Sequence, residues 1–144
     1  MRYVYPARLK AQGGTILVTF RDLPEAITEG TDRSGALANA VDCLDAALLF
    51  RLKEGAPIPG PSPVQRHEVA MPASPAVAAK AAFVRAFRDA GLTRVALAAR
   101  IGVAETEVRR MLDPDHGTKI DRLSDGMRAL GRVLVIADEN AEAA

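Results

Sequence analysis

The sequence predicts an α+β protein: a small β-β-β-α-β domain, followed by an all-α helix-turn-helix domain with a terminal strand. Three observations carry this. Short β-branched runs bounded by Gly and Pro, such as Thr15–Phe20 (TILVTF), cluster near the start of the chain. Leu37, Val41, Leu44, Leu48 and Leu52 then recur at steps of four, three, four and four, which marks a helix with one buried face. Beyond a proline-rich boundary, Leu92–Leu112 (LTRVALAARIGVAETEVRRML) holds two short amphipathic helices around a glycine turn.

In order, Tyr3–Leu9 alternates weakly and reads as a strand whose Pro6 sits at an edge or a bulge. Gly13-Gly14 turns the chain into Thr15–Phe20, making an antiparallel hairpin. Leu23-Pro24 turns it again before a short strand, Ala26–Thr28, that Gly30 breaks. Asp32 is the expected N-cap of the long helix, because its carboxylate accepts from unpaired N–H groups and favours the positive end of the helix dipole. Prolines in residues 55–63 exclude helix and favour extended backbone that returns the chain to deliver a fourth strand, Val64–Met71.

The first domain is therefore expected over residues 1–72 and the second over 73–144. Ser74 caps and Pro75 opens the helix Pro75–Ala90, with Ala78, Ala79, Ala82, Phe83 and Phe87 on one side and Gly91 at its end. The helices Thr93–Ile101 and Glu105–Leu112 flank Gly102-Val103, with Leu97, Ala98, Ile101, Val108 and Leu112 expected in a shared core. Asp113-Pro114 ends the second of these, and Ile120–Leu130 forms a further helix that Gly131 stops. Arg132–Ala137 (RVLVIA) is β-branched enough for the terminal strand, one suited to pair with its own copy in a dimer.

Composition narrows the function classes. Of 144 residues 49% are hydrophobic, enough for a core, while only 4% are aromatic and none is Trp, which favours helices built from Ala, Leu and Val. No apolar h-region opens the chain and no segment nears the roughly 18 unbroken apolar residues of a membrane span, so the expected location is cytoplasmic, without membrane association. Cys43, the single cysteine, has no internal disulfide partner and reads as a small buried hydrophobe. Charge is unevenly spread: residues 76–112 carry seven Lys or Arg against three acids, and residues 113–144 reverse the balance.

Enzyme chemistry finds no footing. Asp22, Glu25, Glu29 and Asp32 fall in turns and caps, and the first strand supplies no carboxylate. His67 in its alternating strand and His116 in its loop have no Cys or second His at ligand spacing. Phosphate-loop, nucleophile-elbow and dinucleotide patterns are missing. The expectation is a protein with no catalytic residues, metal or cofactor. The helix-turn-helix offers a binding mechanism instead, since the second helix of such a motif enters the major groove with its N-terminal residues at base edges. That places Glu105, Thr106, Glu107 and Arg110 nearest the bases, and Arg94, Arg109 and Lys119 on phosphates. Two half-sites about 34 Å apart call for a homodimer through the C-terminal domains, or a dimer of dimers that also uses the N-terminal sheet.

Phe20-x-Asp22-Leu23-Pro24, then Gly30 with its capping residue, Ala36-Leu37-x-Asn39-Ala40, and the Pro-Ile-Pro-x-Pro-Ser run at 57–62 together resemble the HicB antitoxin family, in the subgroup that adds a repressor-type helix-turn-helix. The resemblance implies a partial ribonuclease-H-like first domain without catalytic carboxylates. It implies a partner too: a HicA-like toxin, a small basic ribonuclease of double-stranded-RNA-binding fold, covered by the first domain while the second represses the shared operon at its operator DNA. Asp22, Glu25 and Glu29 are the candidate contacts to that basic partner. The competing readings are a stand-alone DNA-binding regulator whose first domain senses a small ligand, and a nuclease using its own carboxylates.

Overall fold

The computed structural model describes residues 1–141. Four strands and five helices follow in the order β1 (Val4–Gln12), β2 (Thr15–Phe20), β3 (Ile27–Gly30), α1 (Arg33–Lys53), β4 (Glu68–Pro72), α2 (Pro75–Ala90), α3 (Arg94–Ile101), α4 (Glu105–Leu112) and α5 (Ile120–Ala129). They form two compact units. The first holds Met1–Leu48 and Pro57–Ser74, and the second holds Leu49–Ala56 and Pro75–Ala137, so α1 contributes residues to both.

In the first unit the strands pair antiparallel in the order β3-β2-β1-β4. Ala7 of β1 stands opposite Phe20 of β2 on one side and Val69 of β4 on the other. Pro6, expected at an edge or a bulge, instead lies in an inner strand opposite Ala70 of β4; it falls beyond the end of the β1–β2 pairing, so its missing N–H leaves that ladder whole. Side chains alternate across the pleat, and Tyr5, Ala7, Val18, Phe20 and Met71 are buried along with Ala36, Ala40, Leu44 and Leu48 of α1. The helix begins where the sequence places it, with Asp32 accepting from the Gly35 N–H at 2.7 Å. Its buried stripe is rotated from the expected one: Ala36 and Ala40 are fully covered while Leu37 and Val41 are half-buried. Gly30 explains the rotation. A Cβ there would stand 2.3 Å from the Ala36 backbone nitrogen, so β3 and the first turn of α1 approach as closely as backbone allows, and only small residues fit between them.

The proline segment is ordered against this unit by polar contacts. Tyr5 donates its hydroxyl to the Pro59 carbonyl at 2.9 Å, and Arg21 donates to that of Pro63 at 3.0 Å. The fourth strand starts later than the expected Val64. Residues 64–67 instead form a turn, in which Glu68 N–H donates to the Gln65 carbonyl and the Glu68 carboxylate accepts from the Gln65 N–H. His67, expected within the strand, occupies the left-handed region of that turn at φ 69°.

In the second unit α2, α3, α4 and α5 share a core of Ala79, Phe83, Leu97, Ala98, Val108, Met111, Leu123 and Met127. Met111 takes the inner position expected of Leu112, which is half-buried together with Ile101. Gly126 lets α5 close on this core, since a Cβ there would press on Phe83 and on the Met111 methyl. The terminal strand expected over Arg132–Ala137 is absent from the described residues. Gly131, at φ 72°, turns the chain out of α5, and Val133, Val135 and Ile136 stand 74%, 79% and 62% exposed. A strand needs a neighbour for its N–H and C=O groups, and among the described residues no strand pairs with this run.

Candidate functional site

The strongest site is the pair α3–α4. Thr93 caps α3 by accepting from the Ala96 N–H at 3.1 Å, and Gly102 ends it at φ 81°, a left-handed conformation that glycine adopts freely, donating to the Ala98 carbonyl at 2.8 Å. Val103 donates to the same carbonyl at 3.0 Å, and α4 starts two residues later. Its N-cap, Ala104, has the extended backbone of a cap but no side chain to accept with. The inner face of α4 is Val108 and Met111, which leaves Thr106, Arg109 and Arg110 exposed on its outer side.

Electrostatics alters the expected division of labour. Glu105 pairs with Arg94 of α3 and with Arg109, each at 3.0 Å. Glu107 lies 3.8 Å from Arg110 and 3.7 Å from Arg122 of α5. Two half-buried carboxylates thus sit among four more exposed guanidinium groups. They orient those arginines, and their own oxygens are occupied rather than directed at a base. Lys119, at the N-cap position of α5, is exposed.

Two residues that sequence reasoning weighed only as charges complete this region. Arg122 joins the cluster through Glu107. Lys80, in the middle of α2, is buried at 4% exposure, and burial pushes its ammonium down to about 8 against the opposing pull of Asp113. It donates to the carbonyls of Met111 (2.8 Å), Asp113 (3.0 Å) and Arg110 (3.3 Å) and to the Thr118 hydroxyl (2.9 Å). The available signal was its setting, one lysine inside the apolar run Ala-Val-Ala-Ala-Lys-Ala-Ala-Phe at 76–83. A hollow of about 140 Å³ beside it, lined by Leu49, Val77, Pro114 and His116 among others, falls well short of the roughly 300 Å³ of a small-molecule site.

The candidate partner contacts of the first unit differ in how they are engaged. Asp22 is engaged internally, its two oxygens accepting from the Ser62 N–H at 2.7 Å and hydroxyl at 2.6 Å. Glu29 accepts from the Thr15 hydroxyl at 3.1 Å, while its backbone carbonyl accepts from Asn39 at 2.9 Å. Glu25 is exposed in the turn before β3. Cys43 is half-buried, and burial pushes its thiol up, away from the reactive thiolate. Among the described residues no group of three or more His, Cys, Asp and Glu is placed to hold a metal ion, and no helix is long and apolar enough to cross a membrane.

Residues 4–82 match the family model of the HicB-like antitoxins of bacterial toxin-antitoxin systems. The chain belongs to the HicB antitoxin family. Curated relatives agree along nearly the whole length. Antitoxin HicB 1 of Photorhabdus laumondii is 40% identical over 136 residues, covering 94% of this chain and 86% of that one. Antitoxin HicB of Escherichia coli K12 is 36% identical over 131 residues, 90% of this chain and 95% of that one. A more distant Antitoxin HicB, from Pseudomonas fluorescens, is 25% identical over 140 residues. The family match spans the first unit's sheet and the start of α2. It includes the motif residues Asp22, Leu23, Pro24 and Gly30.

Proposed function

We propose that this HicB-family chain neutralises a HicA-like ribonuclease toxin through residues 1–72 and represses its own operon by binding operator DNA through residues 73–144. Family membership carries the first half. The second is supported by the α3–α4 geometry: a capped helix, a left-handed glycine turn, and a short helix whose outer side is Thr106, Arg109 and Arg110.

In this reading the first domain has a partial ribonuclease-H-like fold and acts by covering the toxin rather than by catalysis, with Asp22, Glu25 and Glu29 on the side that meets a basic partner. Arg110 and Thr106 face base edges, whereas Arg94, Arg109 and Lys119 contact phosphates and supply salt-dependent affinity. Glu105 and Glu107 hold the arginines in place. The protein works in the cytoplasm as a homodimer, or a dimer of dimers. The exposed Val133, Val135 and Ile136 favour dimerisation through the C-terminal region, because pairing with a second copy covers them and gives their backbone a ladder.

Co-expression with the small open reading frame beside the gene tests both halves. A basic protein that co-purifies, and is toxic when expressed alone, supports the antitoxin reading. Retardation of upstream DNA by the purified protein supports repression. DNA binding with no toxic partner instead favours a stand-alone regulator.

A further inference from the structure

Lys80 is the buried charge that the proposed function does not use, and its position in the second unit gives it one. The helix α4 has only eight residues, too few to hold itself as a helix in water, so its place is set by what it packs on. Its apolar anchors are Val108 and Met111, and the second is a flexible side chain. Two such contacts fix depth better than they fix rotation or slide. At its C-terminal end the helix stops abruptly before Pro114: the Arg110 and Asp113 carbonyls accept from the Asp113 and His116 N–H groups at 3.2 and 3.1 Å, and the Met111 carbonyl, the most enclosed of the three, is met by the lysine. The Lys80 ammonium reaches that end from α2 and takes the carbonyls of Arg110, Met111 and Asp113, while Thr118 supplies its fourth contact from across the 113–118 loop. Thr118 and Arg110 are also in contact, at 3.4 Å. A cation at this negative end of the helix is favoured, and removing it takes the lysine's bond from the buried Met111 carbonyl and one contact each from the carbonyls of Arg110 and Asp113. Arg110 is held at its backbone from within while its side chain is 63% exposed outside.

We propose that Lys80 is the positioning residue of α4, fixing through the backbone of Arg110, Met111 and Asp113 where the Arg110 side chain meets DNA. This rests on the DNA-binding reading above. It adds a division between two kinds of affinity. Base contacts tolerate little displacement, because hydrogen bonds weaken steeply with angle and distance, whereas phosphate contacts from long, exposed arginines tolerate much more. Loss of Lys80 therefore lowers discrimination between DNA sequences while leaving most of the non-specific, salt-dependent binding intact.

The test compares wild type, Lys80→Met, which keeps the volume and removes the donors, and Thr118→Val, a milder change at a half-exposed residue. Each is titrated with a duplex of the DNA immediately upstream of the gene and with an unrelated duplex of equal length, and amide hydrogen exchange is followed in parallel. The expected result is a specificity ratio reduced about tenfold in Lys80→Met and less in Thr118→Val, with affinity for the unrelated duplex little changed. Faster exchange should be confined to the end of α4 and the 113–118 loop. If Lys80→Met fails to fold, Thr118→Val alone must show the smaller ratio. An unchanged ratio in a folded variant, or a parallel loss on both duplexes, overturns the assignment while the DNA-binding reading stands. A wild-type protein that does not distinguish the two duplexes overturns both.

Discussion

Asp22 and Ser62 are 40 residues apart in sequence and meet through two hydrogen bonds, from the Ser62 N–H at 2.7 Å and its hydroxyl at 2.6 Å, one to each carboxylate oxygen. A serine that gives both its donors to one carboxylate is a strong tether for a segment that prolines deprive of its own N–H donors. Asp22→Ala should lower unfolding free energy by about 2 kcal/mol, the scale of charge-assisted bonds at a half-buried site. It should also open residues 57–63 to protease. Urea titration and limited proteolysis check both, and a stable variant that resists cleavage would show that Tyr5 and Arg21 suffice.

Gly30→Ala should destabilise the first unit by about 2 kcal/mol, because the added methyl meets backbone, which cannot move aside as a side chain can. Thermal unfolding measures this. The same change at Gly60, whose added Cβ would meet nothing within 4 Å, serves as the control.

Helix capping in the second unit gives a pair of opposite signs. Thr93→Ala removes the bond to the Ala96 N–H and should cost about 1 kcal/mol. Ala104→Ser should do the reverse by about 0.5 kcal/mol, since the backbone at φ −70° and ψ 152° already has cap geometry and lacks only the acceptor. Chemical denaturation of the two variants and of the double mutant tests the signs.

What the sequence revealed and what it hid follow from the range of the forces involved. The first three strands, the Asp32 cap and the α3–α4 turn were legible because periodicity, capping and glycine act between near neighbours. The rotation of α1 was not. The leucine spacing pointed to Leu37 and Val41, but the close approach of β3 at Gly30 selects Ala36 and Ala40, and that is a relation between elements. The start of β4 is displaced by the Gln65–Glu68 turn, whose Glu68 carboxylate is also held by Arg21 across 47 residues. Val133–Ile136 has strand composition, but pairing requires a neighbour that composition does not supply. At the site, the positions of Arg94, Arg109 and Arg110 were readable from helical spacing, whereas the engagement of Glu105 by Arg94 belongs to the tertiary structure.

The Arg21–Glu68 pair predicts a pH dependence. The Arg21 guanidinium, donating to both oxygens at 3.0 Å, and the Gln65 N–H hold the Glu68 carboxyl below its ordinary value. The folded state therefore keeps this proton off to lower pH than the unfolded chain does. Its contribution is fully present above the unfolded value and is lost as pH falls through the folded one. Unfolding curves of wild type and Glu68→Gln should differ at neutral pH and converge in acid. A constant difference would remove the pair as the cause.

Glu105→Gln separates orientation from competition in the arginine cluster. Glu105 occupies Arg94 and Arg109 at 3.0 Å each, and a phosphate must displace it to use either. Exposed pairs of this kind are worth no more than about 1 kcal/mol each, so the neutral variant should bind unrelated duplex several-fold more tightly at low salt. The slope of log affinity against log salt should steepen by about 0.9 for each phosphate newly neutralised. Discrimination for the upstream duplex should fall at the same time, because the two arginines are then free to settle on any phosphate. A steeper slope with unchanged discrimination would make Glu105 a competitor only, and an unchanged slope would place Arg94 and Arg109 away from the DNA.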